Sequence, residues 1–352
     1  MSQALSPGTV LGLIVIFALA VSFDYINGFH DTANAIATSV STRALKPAHA
    51  ILLSATANFV GALVFGTAVA TTIGSGVVQD KMILGNGATV LAAALMGAIA
   101  WNLITWALAI PSSSSHALVG GLIGAAIASA GLNAVQWGNF VVKIIVPLLS
   151  SPIIGMVVGF GLMVVLLNVF AHANPHHMND RFRRLQIVSA TYMALSHGTN
   201  DAQKTMGIMT LALFNAGAIS STAVPTWVIL IAATAMSLGT AVGGWRIMKT
   251  IGQRMVKLDP VRGFAAETTA ATIIMGAAQL GMPVSTTHVI TSAIMGVGTS
   301  DRLNAVRWGV VRNIAAAWVL TIPCAGAIAG CAYLVLSVLA GPIGAVTHLF
   351  GI

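Results

Sequence analysis

The chain states its polar motifs twice, at an offset of about 171 residues, and that repetition limits the folds open to it. Gly28-Phe29-His30-Asp31-Thr32-Ala33-Asn34 lies opposite Gly198-Thr199-Asn200-Asp201-Ala202-Gln203-Lys204, with Gly and Asp identical. His and Asn also change places, since Asn27 and His30 face His197 and Asn200. Pro111-Ser112-Ser113-Ser114-Ser115-His116 answers Pro283-Val284-Ser285-Thr286-Thr287-His288, and the heptads starting at Leu132 and Leu303 differ at one position of seven. Pro152 and Gly155 match Pro323 and Gly326. Matches in the same order at nearly constant spacing make the chain a tandem duplication.

What was duplicated follows from composition. Charged residues make up 7% and hydrophobic ones 57%, against about 25% charged in a soluble domain. The chain therefore reads as an all-α polytopic membrane protein. Apolar stretches run over 9–23, 48–73, 83–110, 139–171, 186–196, 225–245, 264–282 and 313–341, and about 20 residues of helix cross a hydrocarbon core. Period-two strands are missing, which argues against a barrel. The first stretch ends in Asp24 and Asp31 without a small-residue cleavage site and reads as a retained helix. Cys324 and Cys331, seven apart on one helix, stand about 10 Å apart along its axis and cannot pair with each other.

The net charge of +8 does not signal nucleic acid, because twelve of the sixteen basic residues fall in four short connections. These are Arg43 and Lys46, then Arg181, Arg183 and Arg184, then Arg246, Lys249, Arg254, Lys257 and Arg262, then Arg302 and Arg307. Such clusters mark cytoplasmic loops. The loop after the first motif is basic in the first copy, while its counterpart, 215–225, is uncharged; after the next span the bias reverses, with only Asp80 and Lys81 against five basic residues over 246–262. Equivalent loops thus lie on opposite faces. The expected fold is two inverted-topology repeats with broken helices and re-entrant helical hairpins: 1–171, a cytoplasmic linker over 172–185, and 186–352. The hairpins break at Pro111 and Pro283, both termini lie outside, and the membrane is the inner (plasma) membrane.

Inverted repeats with interrupted segments at matching positions point to a secondary transporter with its site at mid-membrane. Asp24, Asp31, Asp201 and Glu267, four of the eight acids, and Lys204 lie within or beside apolar stretches, where each charge costs at least about 2.5 kcal/mol. Proline followed by hydroxyls starts a helix, and two such starts would aim their free N–H groups at one point. Ser113, Ser114, Ser115, Ser285, Thr286 and Thr287 line that point with hydroxyl donors, joined by Asn34 and Asn200. A tetrahedral oxyanion fits. Asp31 and Asp201 would repel a bare anion, so each holds a coupling proton, binds a cation, or accepts a hydrogen bond from a protonated oxyanion. His116 and His288 either tie the hairpins together or carry protons; Lys204 either snorkels or neutralises Asp201 at i+3. His172, His176 and His177 read as a solvated loop, and no metal site or cofactor is expected.

These motifs resemble the inorganic phosphate transporter family, whose repeated signature Gly-x-Asn-Asp-x-x-Asn-x is seen over 28–35 and, less fully, 198–205, and whose hairpin motif Pro-x-Ser-x-Thr-His is seen over 111–116 and 283–288. The resemblance covers nearly the whole chain and is strongest to the bacterial low-affinity permeases. It implies a symporter that imports phosphate with protons, partly as neutral divalent-metal complexes, and a homodimer. It also implies a transport role for Glu267, with Asn58 as the corresponding first-copy position. His30 in place of the first signature Asn and Lys204 in place of the last favour protons over sodium, making His30, Asp31, Asp201, Lys204 and Glu267 the coupling candidates. The large central cytoplasmic domain of animal members is absent. A sulfate permease of the same family is the main alternative, and a sodium-coupled phosphate symporter stands behind it. Against an enzyme, a Ser-His-Asp hydrolase does not need two inverted copies; a passive anion channel would not need the carboxylate pair.

Overall fold

A computed structural model describes residues 5–76 and 80–350, and the side chains of 5–73 and 87–339. The first repeat comprises α1 (Pro7–Ser41), α2 (Pro47–Val64), α3 (Ala68–Gly76), α4 (Asp80–Ala107), α5 (Ser114–Ala130), α6 (Trp137–Phe140) and α7 (Val146–Val169). The second comprises α8 (Pro175–Asn215), α9 (Thr226–Val242), α10 (Trp245–Lys249), α11 (Pro260–Gln279), α12 (Thr286–Thr299) and α13 (Trp308–Phe350). Proline opens α1, α2, α8 and α11; Ser6, Asn174 and Asp259 cap three of these starts through their side chains, the pairing that satisfies free N–H groups at a helix start. No strand occurs among the described residues, only an isolated bridge between Val256 and Val306.

Five helical stretches are long and apolar enough to cross a membrane: Pro7–Ser41, Pro47–Val64, Gly87–Ala107, Trp137–Val169 and Trp308–Leu339. Thr226–Val242 with Trp245–Arg254, bent by 60°, gives a sixth candidate. The protein is a multi-pass membrane protein. A π-helical turn over Val141–Ile145 joins α6 to α7 in one span. The apolar run over 48–73 is not one helix, since it breaks after Val64 at Gly66, whose φ is +89°. As expected, α4 and α11 end short of Pro111 and Pro283, and α5 and α12 start three residues after each proline. At 17 and 14 residues, α5 and α12 fall short of the roughly 20 that a crossing takes, so each closes a re-entrant hairpin.

The inversion is visible in the two signature helices. Asp24 of α1 bonds Thr205 of α8, and Thr42 bonds Gln186, so residue numbers rise on one helix as they fall on the other. Equivalent helices run antiparallel. The repeats also interlock: α1 packs on α9, α8 on α2, α5 on α13 and α12 on α7. Glycines allow the crossings, because a Cβ at Gly28 would overlap the Met236 carbonyl oxygen and one at Gly198 that of Asn58. The two repeats expected over 1–171 and 186–352 are therefore not separate bodies in the structure.

Two expectations need correction. The linker over 172–185 is mostly helix, because α8 begins at Pro175; His176 and His177 are exposed on its first turn, and the non-helical part ends with Asn174. Asn58 is not the counterpart of Glu267, since it lies on α2, which answers α9, while Glu267 lies on α11, which answers α4. Counting back equally from Pro111 and Pro283 places Leu95 opposite Glu267. Asp80 and Lys81 lie outside the residues whose side chains are described.

Candidate functional site at the hairpin tips

Both signatures lie within unbroken helix, and their polar side chains are buried where α1, α8 and the two hairpin tips converge. Ser113 and Ser285 are the N-caps of α5 and α12, accepting from the backbone N–H of His116 and His288 at 3.2 Å. Their hydroxyl oxygens shape the helix starts. Ser114 donates to Asp31 Oδ2 at 3.2 Å, and its repeat equivalent Thr286 donates to Asp201 Oδ2 at 3.1 Å. A second pair of bonds crosses between repeats. Asn34 Nδ2 donates to Thr287 at 2.8 Å, and Lys204, which replaces Asn34 in the second copy, donates to Ser115 at 2.5 Å. Ser115 also donates to the Val284 carbonyl at 3.2 Å, and the His116 and His288 rings meet edge to face at 4.4 Å. The hairpin tips are thus tied to each other.

The acids differ in their counter-groups. Asp31 Oδ1 accepts from His30 Nδ1 at 2.6 Å, and His30 Nε2 lies 3.2 Å from Thr105 Oγ1 and 3.4 Å from Ser112 Oγ. Asp201 is ion-paired with Lys204, and its Oδ2 lies 3.2 Å from His197 Nε2. Lys204 is 1% exposed, so it does not snorkel. His197 Nδ1 sits 3.2 Å from Asn58 Oδ1. One ligand atom each from Asp31, His197 and Asp201 lies within 4.8 Å of the others, a separation that a small cation bridges. Asn200 is buried, and neither of its amide atoms is bonded among the described residues.

Glu267 stands apart from this cluster. Thr38 and Ser189 each donate to its carboxylate at 2.5 Å, and Gln186 donates at 3.2 Å. Every residue expected at the site is buried, and all except Glu267 and Asn200 are joined by the contacts at the tips. Sequence reasoning left out His197, Thr105, Ser112 and the polar shell of Glu267. The exchange of Asn27 and His30 for His197 and Asn200 was a signal for the first of these. Thr105 and Ser189 carry none, being single hydroxyls on apolar helices.

Comparison with known proteins agrees with this architecture. The sequence pattern of the phosphate transporter family matches residues 27–179 and again 169–329. A probable low-affinity inorganic phosphate transporter of Bacillus subtilis is 53% identical over 93% of this chain and 97% of its own length. One from Rhizobium meliloti is 46% identical over 91% and 95%. A solved structure described as the sodium-dependent phosphate transporter superposes with a TM-score of 0.85 at 26% identity, covering 93% of this chain and 99% of that one. With both repeats matched by the family pattern and relatives aligned over nearly their whole lengths, the chain is a transporter and not an enzyme, and it belongs to the phosphate transporter family.

Proposed function

We propose that the protein imports inorganic phosphate across the inner (plasma) membrane together with protons, as a homodimer with both termini outside. The observation that carries the reading is the pairing of two buried carboxylates, Asp31 and Asp201, with hydroxyls on two hairpin tips that start helices. Ser114, Ser115, Thr286 and Thr287, with the helix-start N–H groups, are the donors that would turn to the oxyanion. Asn34 and Asn200 supply amides, and the two cap hydroxyls of Ser113 and Ser285 hold the starts in place. A phosphate that still carries a proton donates to Asp31 or Asp201. Sulfate has no such proton near neutral pH, which favours phosphate.

His30, Asp31, Asp201, Lys204 and Glu267 form the coupling set. Imidazole beside Asp31 and ammonium beside Asp201 occupy places where a cation would otherwise balance the acids, which supports protons over sodium. A second reading has specific support: the structural relative is described as sodium-dependent, and Asp31, His197 and Asp201 converge closely enough for a cation. The same three groups suit a divalent metal travelling with phosphate, because one imidazole and two carboxylates are ordinary ligands for such ions.

Uptake of labelled phosphate into proteoliposomes under imposed proton or sodium gradients tests the reading. Accumulation driven by the proton gradient alone is expected. Accumulation that needs sodium and ignores protons would replace it with the second reading, and uptake of sulfate at the same rate would remove the preference for phosphate.

A further inference from the structure

The antiparallel pair α1 and α8 carries polar residues at three levels. The middle level is the Asp31–Asp201 cluster, and the level toward the C-terminus of α1 is Glu267 with Thr38 and Ser189. The remaining level is Asp24, which is fully buried. Thr205 donates to Asp24 Oδ1 at 2.5 Å, while Oδ2 is without a hydrogen-bond partner among the described residues. Asp24 and Thr38 stand seven residues before and after Asp31, or about 10 Å along the helix on either side. Carboxylates therefore flank the central site at similar depths in opposite directions. Neither is part of the duplicated pattern, since Leu95 stands opposite Glu267 and alanine or another apolar residue occupies 193–195, opposite Asp24.

An acid buried in a membrane helix with one oxygen unbonded is costly and calls for a function. Among the charged groups of the helices packed on α1, Asp201 and Lys204 of α8 face Asp24. α9 and the described part of α4 bring none. The charged residues of α10 and α11 meet α1 in its C-terminal half, where Gly244 approaches Phe29, Gly252 approaches Ala37 and Glu267 accepts from Thr38. Asn27, one turn from Asp24 toward Asp31, is buried with neither amide atom bonded among the described residues, which places a donor and an acceptor between the two acids.

We propose that Asp24 is a proton-binding site, separate from the phosphate site, where the coupling proton is held between the membrane face at the start of α1 and the central acids. A hydronium ion at that face gives its proton to Oδ2 and leaves as water, making the acid neutral. That proton then passes to the carboxylate of Asp201 or Asp31, and Asp24 is again an anion held by Thr205. Glu267 performs the same exchange on the other side. The inference rests on the proton-coupled reading above.

The test compares Asp24→Asn and Asp24→Glu in proteoliposomes by two measurements. One is net phosphate uptake driven by an imposed pH difference; the other is exchange of labelled for unlabelled phosphate at equal pH, which needs no net proton movement. In Asp24→Asn the driven uptake is expected to fall about a hundredfold, the lower range for removal of a proton-transferring group, while exchange stays close to the parent. Asp24→Glu should restore driven uptake with an altered pH profile. Driven uptake at the parent level in Asp24→Asn overturns the proposal, as does parallel loss of uptake and exchange that glutamate does not rescue. If Asp24→Asn fails to fold, Thr205→Val decides: it removes the hydroxyl on Asp24, and an unchanged pH profile of driven uptake overturns the proposal. A parent protein indifferent to the pH difference would instead sink the proton-coupled reading, and this proposal with it.

Discussion

Asp31 and Asp201 occupy the same place in two copies of one backbone and accept from equivalent hydroxyls, yet one is balanced by an imidazole and the other by an ammonium. Lys204 is in contact with Asp201, so the second acid is half of a buried ion pair. His30 is a cation only when protonated, so the charge of the first pair can change within a cycle. Packing kept the symmetry and counter-groups broke it. The two acids of the proposed coupling set thus differ in what balances them, although the backbone around them repeats.

The largest expected effects would break or sharpen that contrast. Asp31→Asn removes the changeable pair and should abolish gradient-driven phosphate uptake with little change in thermal stability. Asp201→Asn leaves Lys204 buried without its carboxylate, and breaking a buried pair costs about 3–5 kcal/mol. A marked fall in melting temperature is therefore expected for Asp201→Asn but not for Asp31→Asn. Pairing Asp201→Asn with Lys204→Met should recover most of the lost stability without recovering transport. Equal melting temperatures for the two single variants would show that the acids are as alike as their backbones.

The symmetric part of the comparison predicts equal effects. A Cβ at Gly61 would meet the Leu195 carbonyl oxygen, and one at Gly239 the Tyr25 carbonyl oxygen, in the matching crossings of α2 on α8 and α9 on α1. Backbone cannot move aside as a side chain does. Gly61→Ala and Gly239→Ala should each destabilise by about 1–3 kcal/mol, the usual range for overpacking, and by similar amounts in thermal unfolding. A large effect in one and none in the other would mean that the crossings bear load unequally.

Much of this was legible in the sequence because the constraints are local. Loop charge marked the inversion, and proline followed by hydroxyls marked both hairpin breaks at Pro111 and Pro283. The paired signatures gave the acids, the caps and Lys204. What could not be read was which hydroxyl serves which acid, since Ser114 and Thr286 look the same in sequence as the caps Ser113 and Ser285. The shell of Glu267 was hidden for a different reason. Gln186, Ser189 and Thr38 come from two helices of different repeats, and only the crossing of α1, α8 and α11 brings them together. The assignment of Asn58 opposite Glu267 failed because chemical likeness was followed where the order of elements decides.

The smallest effects should come from the hydroxyls themselves. Ser114→Val and Thr286→Val nearly keep shape, but each removes one donor from the equivalent position of its hairpin, leaving Asp31 or Asp201 with one partner fewer. A hydrogen bond contributes about 0.5–1.5 kcal/mol, and more when a charged partner is left short, so apparent phosphate affinity should fall severalfold in each variant. If both hydroxyls turn to the same oxyanion, the losses will not add, because residues that share a partner are energetically coupled. The contrast between the repeats enters here as well. Among the described residues, Asp201 keeps Lys204 and His197 after losing Thr286, whereas Asp31 keeps only His30 after losing Ser114. Ser114→Val should therefore be the more damaging of the two. Equal and additive losses would place the hydroxyls on separate ligands, and parent affinity with lowered thermal stability would make them packing residues alone.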